Sequence, residues 1–123
     1  MSSAPCTGVV VLVEDDDDAR ELLQAVLERR GYRVATARDG IEGLALLHAT
    51  ERVCFVLVDL FMPRMDGFGL LLAMAGEAGL SELTVCVSTS APHLAPNGKQ
   101  CLPKPTDLER LFAMLGEHCR EAS

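Results

Sequence analysis

No stretch of the 123-residue sequence approaches the run of about 18 apolar residues that a membrane-spanning helix needs. The opening MSSAPCTG lacks the basic start and apolar centre of a signal peptide, so neither membrane insertion nor secretion is expected. The five cysteines, Cys6, Cys54, Cys86, Cys101 and Cys119, are odd in number and form no Cys-x-x-Cys pair. That pattern argues against a disulfide framework or a zinc site and for a reducing cytosol; the chain is expected to be cytoplasmic. Basic residues are in deficit, 11 Lys and Arg against 18 Asp and Glu, for a net charge of −7. Such a balance argues against direct nucleic-acid binding, because phosphate backbones attract basic surfaces. Cations and basic protein surfaces remain as partners. Apart from one acidic run, the chain has no internal repeat, linker or low-complexity segment.

What is present is a chain that is 49% hydrophobic and long enough to bury one core without staples. Residues 1–123 are expected to form a single domain, with its core at about 8–119. The stretch 53–67, VCFVLVDLFMPRMDG, organises the rest. Its apolar run from Val53 to Val58 is rich in β-branched and aromatic residues, which reads as a strand buried on both faces. The run ends in one acid, Asp59. A loop with Met62, Pro63, Met65, Asp66 and Gly67 follows, and helical spacing begins at Phe68, with Leu70, Leu71 and Met74 inward.

The flanking segments alternate in the same way. Val9 to Val13 reads as a first buried strand, and it runs into Glu14, Asp15, Asp16, Asp17 and Asp18. Leu22, Leu23, Val26 and Leu27 make the apolar stripe of a helix that Gly31 should stop. A short strand at 33–37, a helix beginning near Asp39-Gly40, a strand at 84–88 and a brief strand at 100–102 complete the alternation. The central helix is expected over about 66–78. Thr106-Asp107-Leu108-Glu109 has the form of a capping box for a last helix running to about His118. Strands alternating with helices predict an α/β fold with a doubly wound, five-stranded parallel sheet.

One connection breaks the pattern. Residues 90–99, SAPHLAPNGK, carry Pro92, Pro96 and Asn97-Gly98. Prolines disfavour a helix interior and Asn-Gly marks a turn. Ten extended residues reach roughly 33 Å, enough to cross between parallel strands without a helix. The helix between strands four and five is therefore expected to be missing or cut to a single turn.

In a parallel sheet the carboxyl ends of the strands share one edge, and ligands bind there. Glu14, Asp15 and Asp59 should converge on it. Like charges at about 4 Å cost on the order of 4 kcal/mol per pair at an effective dielectric of 20. Such a cluster must take up protons or a cation, and hard carboxylate oxygens with open positions suit Mg2+. Lys104 can add a second cation at that edge, and Thr89, just past strand four, a hydroxyl. Two plainer readings stand beside this one. Asp16, Asp17 and Asp18 are expected only to cap the first helix and complement its dipole. Asp59 could also be a buried acid paired with Lys104, although such pairs are weak stabilisers. His48, His93 and His118 are scattered and are given no role.

These pieces together, VLVEDD with Arg20, YRVATARDG, VDLFMPRMDG, Ser88-Thr89-Ser90 after a strand, and Lys104-Pro105, resemble the receiver domain of two-component response regulators. The resemblance covers nearly the whole chain in the family's order. It implies a flavodoxin-like fold in which Asp59 accepts a phosphoryl group and Glu14, Asp15, Asp59 and the backbone carbonyl of Phe61 hold Mg2+. Thr89 would bond a phosphoryl oxygen and Lys104 would pair with the phosphoryl group, with a cis peptide at Lys104-Pro105. The donor would be a histidine kinase or phosphotransfer protein. The state would pass to an unidentified downstream protein, with no output domain, no membrane and no nucleic acid involved. Such a domain is not an enzyme beyond its own phosphorylation and dephosphorylation.

Three departures bear on output rather than chemistry. Cys101 stands where the family usually has an aromatic switch residue, the helix after strand four is reduced, and Phe61 and Ala91 are nonpolar at two positions that tune phosphoryl lifetime. They leave a phosphate-independent receiver-fold binding module as the alternative. An aspartate-nucleophile phosphatase would want an acid where Phe61 stands. A Rossmann nucleotide site would want glycines where the five acids stand.

Overall fold

Three largely apolar runs become the strands β1 (Val9–Val13), β3 (Val53–Asp59) and β4 (Val85–Thr89), and two more mixed segments become β2 (Arg33–Ala37) and β5 (Gln100–Pro103). The computed structural model describes residues 8–62, 64–96 and 98–118. The strands form one sheet in the order β2-β1-β3-β4-β5, and every pairing is parallel. This is the doubly wound architecture expected from the alternation, in the flavodoxin-like form that the resemblance implies. Among the described residues no helix is long and apolar enough to cross a membrane.

Both sheet faces are covered, which is why the central strands β1, β3 and β4 read as largely continuous apolar runs. On one face Val10, Leu12, Phe55, Leu57, Cys86 and Leu102 pack with Leu23 and Leu27 of α1 (Asp17–Arg29) and Leu111 and Leu115 of α5 (Leu108–His118). On the other, Val11, Val13, Val56, Val58 and Val87 pack with Leu47 of α2 (Gly40–Ala49) and Leu70 and Met74 of α3 (Gly67–Ala75).

Several details differ from expectation. The helix expected to run to residue 78 ends at Ala75, and a separate four-residue helix, α4 (Ala78–Ser81), follows. Gly76 carries the C-cap, and its low helix propensity makes it the natural break. Strand β4 begins and ends one residue later than predicted, so Thr89 is its last residue rather than the residue after it. The cap of α5 comes from Asp107, whose Oδ1 accepts from Arg110 N–H at 3.2 Å, rather than from Thr106. Leu22, expected on the inner stripe of α1, is 62% exposed, because Leu23 and Leu27 set the face that docks. Cys54 is disulfide-bonded, a correction to the expectation drawn from the odd cysteine count and the missing Cys-x-x-Cys pair, since spacing in sequence does not fix which thiols meet in space. Cys86 and Cys101 are free.

The connection from β4 to β5 is as short as predicted. Among the described residues its only helical piece is a single 3-10 turn, Pro92–Leu94, with Ala95 already extended. Leu71, Met74, Leu80, Leu83 and Val85, with Lys99 just before β5, border a cavity of about 100 Å³.

Candidate functional site

Register brings the candidate residues to one line. Val13 is level with Val58, so Glu14 and Asp59 leave the sheet side by side; Asp59 is level with Ser88, and Thr89 with Pro103. Lys104 is then the next residue along the same edge, and its backbone N–H donates to the Thr89 carbonyl at 2.9 Å.

Local bonds aim each acid. Glu14 is 3% exposed and its Oε2 accepts from Asp16 N–H at 3.1 Å, while Asp16 Oδ1 caps α1 by accepting from Ala19 N–H. Asp17 and Asp18 fall in the first helical turn. The plain reading of these three acids as cap and dipole residues therefore holds. Arg20 binds the neck of the same turn, donating to the Glu14 carbonyl at 3.0 Å and pairing with Asp17. Asp15 stays exposed. Glu14, Asp15 and Asp59 each present a carboxylate oxygen within 4.8 Å of the others. The predicted convergence is present.

Asp59 is buried, and each of its oxygens has one protein donor. Oδ1 accepts from Phe61 N–H at 3.3 Å, and Oδ2 from Lys104 Nζ at 3.1 Å. The same Nζ donates to Glu14 Oε1 at 3.0 Å, so one cation bridges two buried acids. Burial first, then the Glu14 charge, pushes the Asp59 carboxyl up to about 6, although Lys104 and the Phe61 amide pull the other way. Burial alone would lower the Lys104 ammonium; its bonds to Glu14 and Asp59 outweigh that and raise it.

The donor set suits a divalent cation: three carboxylates converge, and Lys104 reaches only Glu14 and Asp59. Hard oxygen donors with room for water match Mg2+.

Thr89 is fully buried, and its Oγ1 accepts from Ala91 N–H at 3.0 Å, which keeps the hydroxyl in its own turn. Lys104-Pro105 is cis, as expected. Met62 and Met65 are partly buried against the core, as packing residues should be. Phe61 is 45% exposed and meets Phe68 edge-on, ring centroids 6.0 Å apart. Sequence reasoning misses the partnership of Asp39 with Arg64, whose Nε lies 2.8 Å from Asp39 Oδ2. Asp39-Gly40 signals a turn and a cap, and no local pattern ties Asp39 to a residue 25 positions away.

Comparison with known proteins adds a family to this geometry. A family model described as the response regulator receiver domain matches residues 10–116. Response regulator MprA of Mycobacterium sp. (strain KMS) is 34% identical over 119 residues, 93% of this chain and 51% of that protein. MprA of Mycobacterium tuberculosis (strain H37Rv) is 35% identical over 114 residues, 88% of this chain and 49% of that protein. The chain thus spans about half the length of the curated relatives it matches. Among solved structures, the receiver domain of the hybrid histidine kinase CckA superposes with a TM-score of 0.78 at 29% identity, covering 92% of this chain and all of that one. TrrA of Thermotoga maritima, solved with Mg2+ and BeF, shares the fold with a TM-score of 0.79 at 20% identity, over 90% of this chain and 98% of its own.

Proposed function

The chain belongs to the response regulator receiver family, and on that footing we propose that Asp59 accepts a phosphoryl group from the phosphohistidine of a partner histidine kinase or phosphotransfer protein. One relationship supports this above the others: a buried carboxylate at the carboxyl end of β3, bridged by Lys104 to a second acid. In the transfer an Asp59 carboxylate oxygen forms the new O–P bond as the donor's N–P bond breaks, and the imidazole leaves neutral after taking a proton. Lys104 Nζ moves its hydrogen bonds from the carboxylates to the incoming phosphoryl oxygens, and charge neutralisation of this kind is the main task in phosphoryl transfer. Glu14, Asp15, Asp59 and the Phe61 carbonyl would hold Mg2+, which supplies the remaining positive charge when bound. Thr89 then turns its hydroxyl to donate a hydrogen bond to a phosphoryl oxygen. That movement shifts the chain between two conformations which a downstream protein distinguishes.

Beside the acids, Ala19, Leu22, Leu23, Pro105 and Leu108 line an open groove of about 350 Å³ that also reaches Glu14 and Lys104. The exposed Leu22 makes it a fitting seat for the partner that carries the phosphohistidine.

A phosphate-independent binding module is the competing reading, favoured by the single turn between β4 and β5 and by Cys101 in β5. Intact mass after incubation with a small-molecule phosphodonor and Mg2+ separates the two. One phosphoryl group gained, and lost in Asp59→Asn or with chelator, is the expected result. No gain from either the small donor or a cognate kinase would favour the binding module.

A further inference from the structure

The segment between β3 and α3 is clasped at both ends. At its base, Gly67 N–H donates to the Leu60 carbonyl at 2.9 Å. On its far side it is tied to the start of α2, where Gly40 N–H donates to the Met65 carbonyl at 2.7 Å. Gly40 is needed for that approach, since a Cβ there would stand 2.5 Å from the same carbonyl oxygen. Beside this tether Arg64 Nε lies 2.8 Å from Asp39 Oδ2 and Nη2 lies 3.4 Å from Oδ1. The Asp39 side chain is only 8% exposed, and its Oδ1 also caps α2 through Glu42 N–H at 2.9 Å.

Arg64 itself has φ +63°, the one left-handed non-glycine among the described residues. Glycine is the easy occupant of that conformation, and a side chain there is strained. The ion pair with a buried carboxylate gives the arginine a reason to be present. Phe61 lies in the same clasped segment, and its N–H donates to Asp59 Oδ1 at 3.3 Å.

We propose that Asp39 and Arg64 are positioning residues for the divalent-cation site: their ion pair holds the β3–α3 segment so that the Phe61 carbonyl stays within reach of Glu14, Asp15 and Asp59. Neither touches the cation. They act on it through the loop, as outer partners orient direct ligands in other metal sites. This rests on the Mg2+ reading given above, and ties the first turn of α2 to the occupancy of that site.

The test is the Mg2+ dissociation constant of the full chain by isothermal titration, alongside the metal-free melting temperature. Arg64→Gly relieves the backbone strain while removing the ion pair. Its expected result is a Kd raised on the order of tenfold with a melting temperature held or increased. Asp39→Asn keeps a good helix cap and cuts the pair, so it should match Arg64→Gly. The double variant should lose no more than either alone, and Arg64→Lys should recover part of the affinity. Arg64→Gly binding Mg2+ as tightly as the wild type would overturn the latch and leave the metal site standing. A wild-type chain that binds no Mg2+ would sink the metal reading and the latch with it.

Discussion

Lys104 Nζ stands 3.1 Å from Asp59 Oδ2, although 45 residues separate them in sequence and β4 lies between their strands in the sheet. The lysine must therefore lean across the end of β4, and it spends its donors on two buried acids at once. Removing one partner of such a group leaves the other uncompensated. Lys104→Met, which keeps the apolar stem and deletes the charge, should lower stability at pH 7 by about 1–3 kcal/mol and abolish phosphorylation. Urea denaturation at pH 7 and pH 5 checks this; the loss should shrink at pH 5, where Asp59 takes a proton. An equal loss at both pH values would mean that the stem, not the charge, matters.

The Asp59 carboxyl, ordinarily at 3.8, is pushed up to about 6 by burial and by Glu14. Between those values the folded chain binds more protons here than the unfolded chain does. The contribution of this group to stability is thus fully present below about 3.8 and lost as pH rises through about 6. Other carboxylates with lowered values, such as Glu42, run the opposite way, so the comparison must be with Asp59→Asn. From pH 4 to 7 the wild type should lose stability relative to that variant. In the same window, phosphorylation by small donors should rise with pH, because the carboxylate is the nucleophile. A flat difference in stability would contradict the raised value.

Gly67 leaves room for two pieces of backbone. A Cβ on it would stand 2.6 Å from the Asp59 carbonyl oxygen and 2.8 Å from Leu60 Cα. Backbone cannot swing aside as a side-chain tip does, so Gly67→Ala should cost about 1–3 kcal/mol and disturb Asp59 as well. Gly116, within α5, faces open space, with nothing within 4 Å of the place a methyl group would take. Gly116→Ala should stabilise the chain by about 0.5–1 kcal/mol. Opposite signs in chemical denaturation are the expected pair of results.

Burial first, and Cys101 nearby, push the Cys86 thiol up to about 11, with Arg110 opposing. Thiolate is the reactive form, so Cys86 should resist alkylation in the folded chain. Iodoacetamide at pH 7.5 followed by peptide mapping should find Cys101, which is only half-buried, modified well before Cys86. Comparable rates would mean that β4 opens readily.

The inner strands were legible because burial on both faces leaves a nearly unbroken apolar run, and β1 falls where the residues place it. The β4–β5 connection was legible for a different reason: Pro92, Pro96 and Gly98 constrain the backbone locally whatever surrounds them. Leu22 was misplaced because periodicity defines a stripe and not the angle at which a helix docks. The cap at Asp107 was misassigned because Thr106 and Asp107 are both good caps one residue apart.

By itself the sequence determined the five strands and four of the helices to within a few residues, that the acids end two strands, and that one crossover lacks its full helix. These follow from side-chain period and backbone freedom, which act over a few residues. Only the tertiary structure decided that one Lys104 ammonium bridges Glu14 and Asp59 at once, and that Arg64 holds Asp39. Coulomb attraction and desolvation depend on distance in space and on what shuts out water. Strand register, set by the packing of the whole sheet, fixes both.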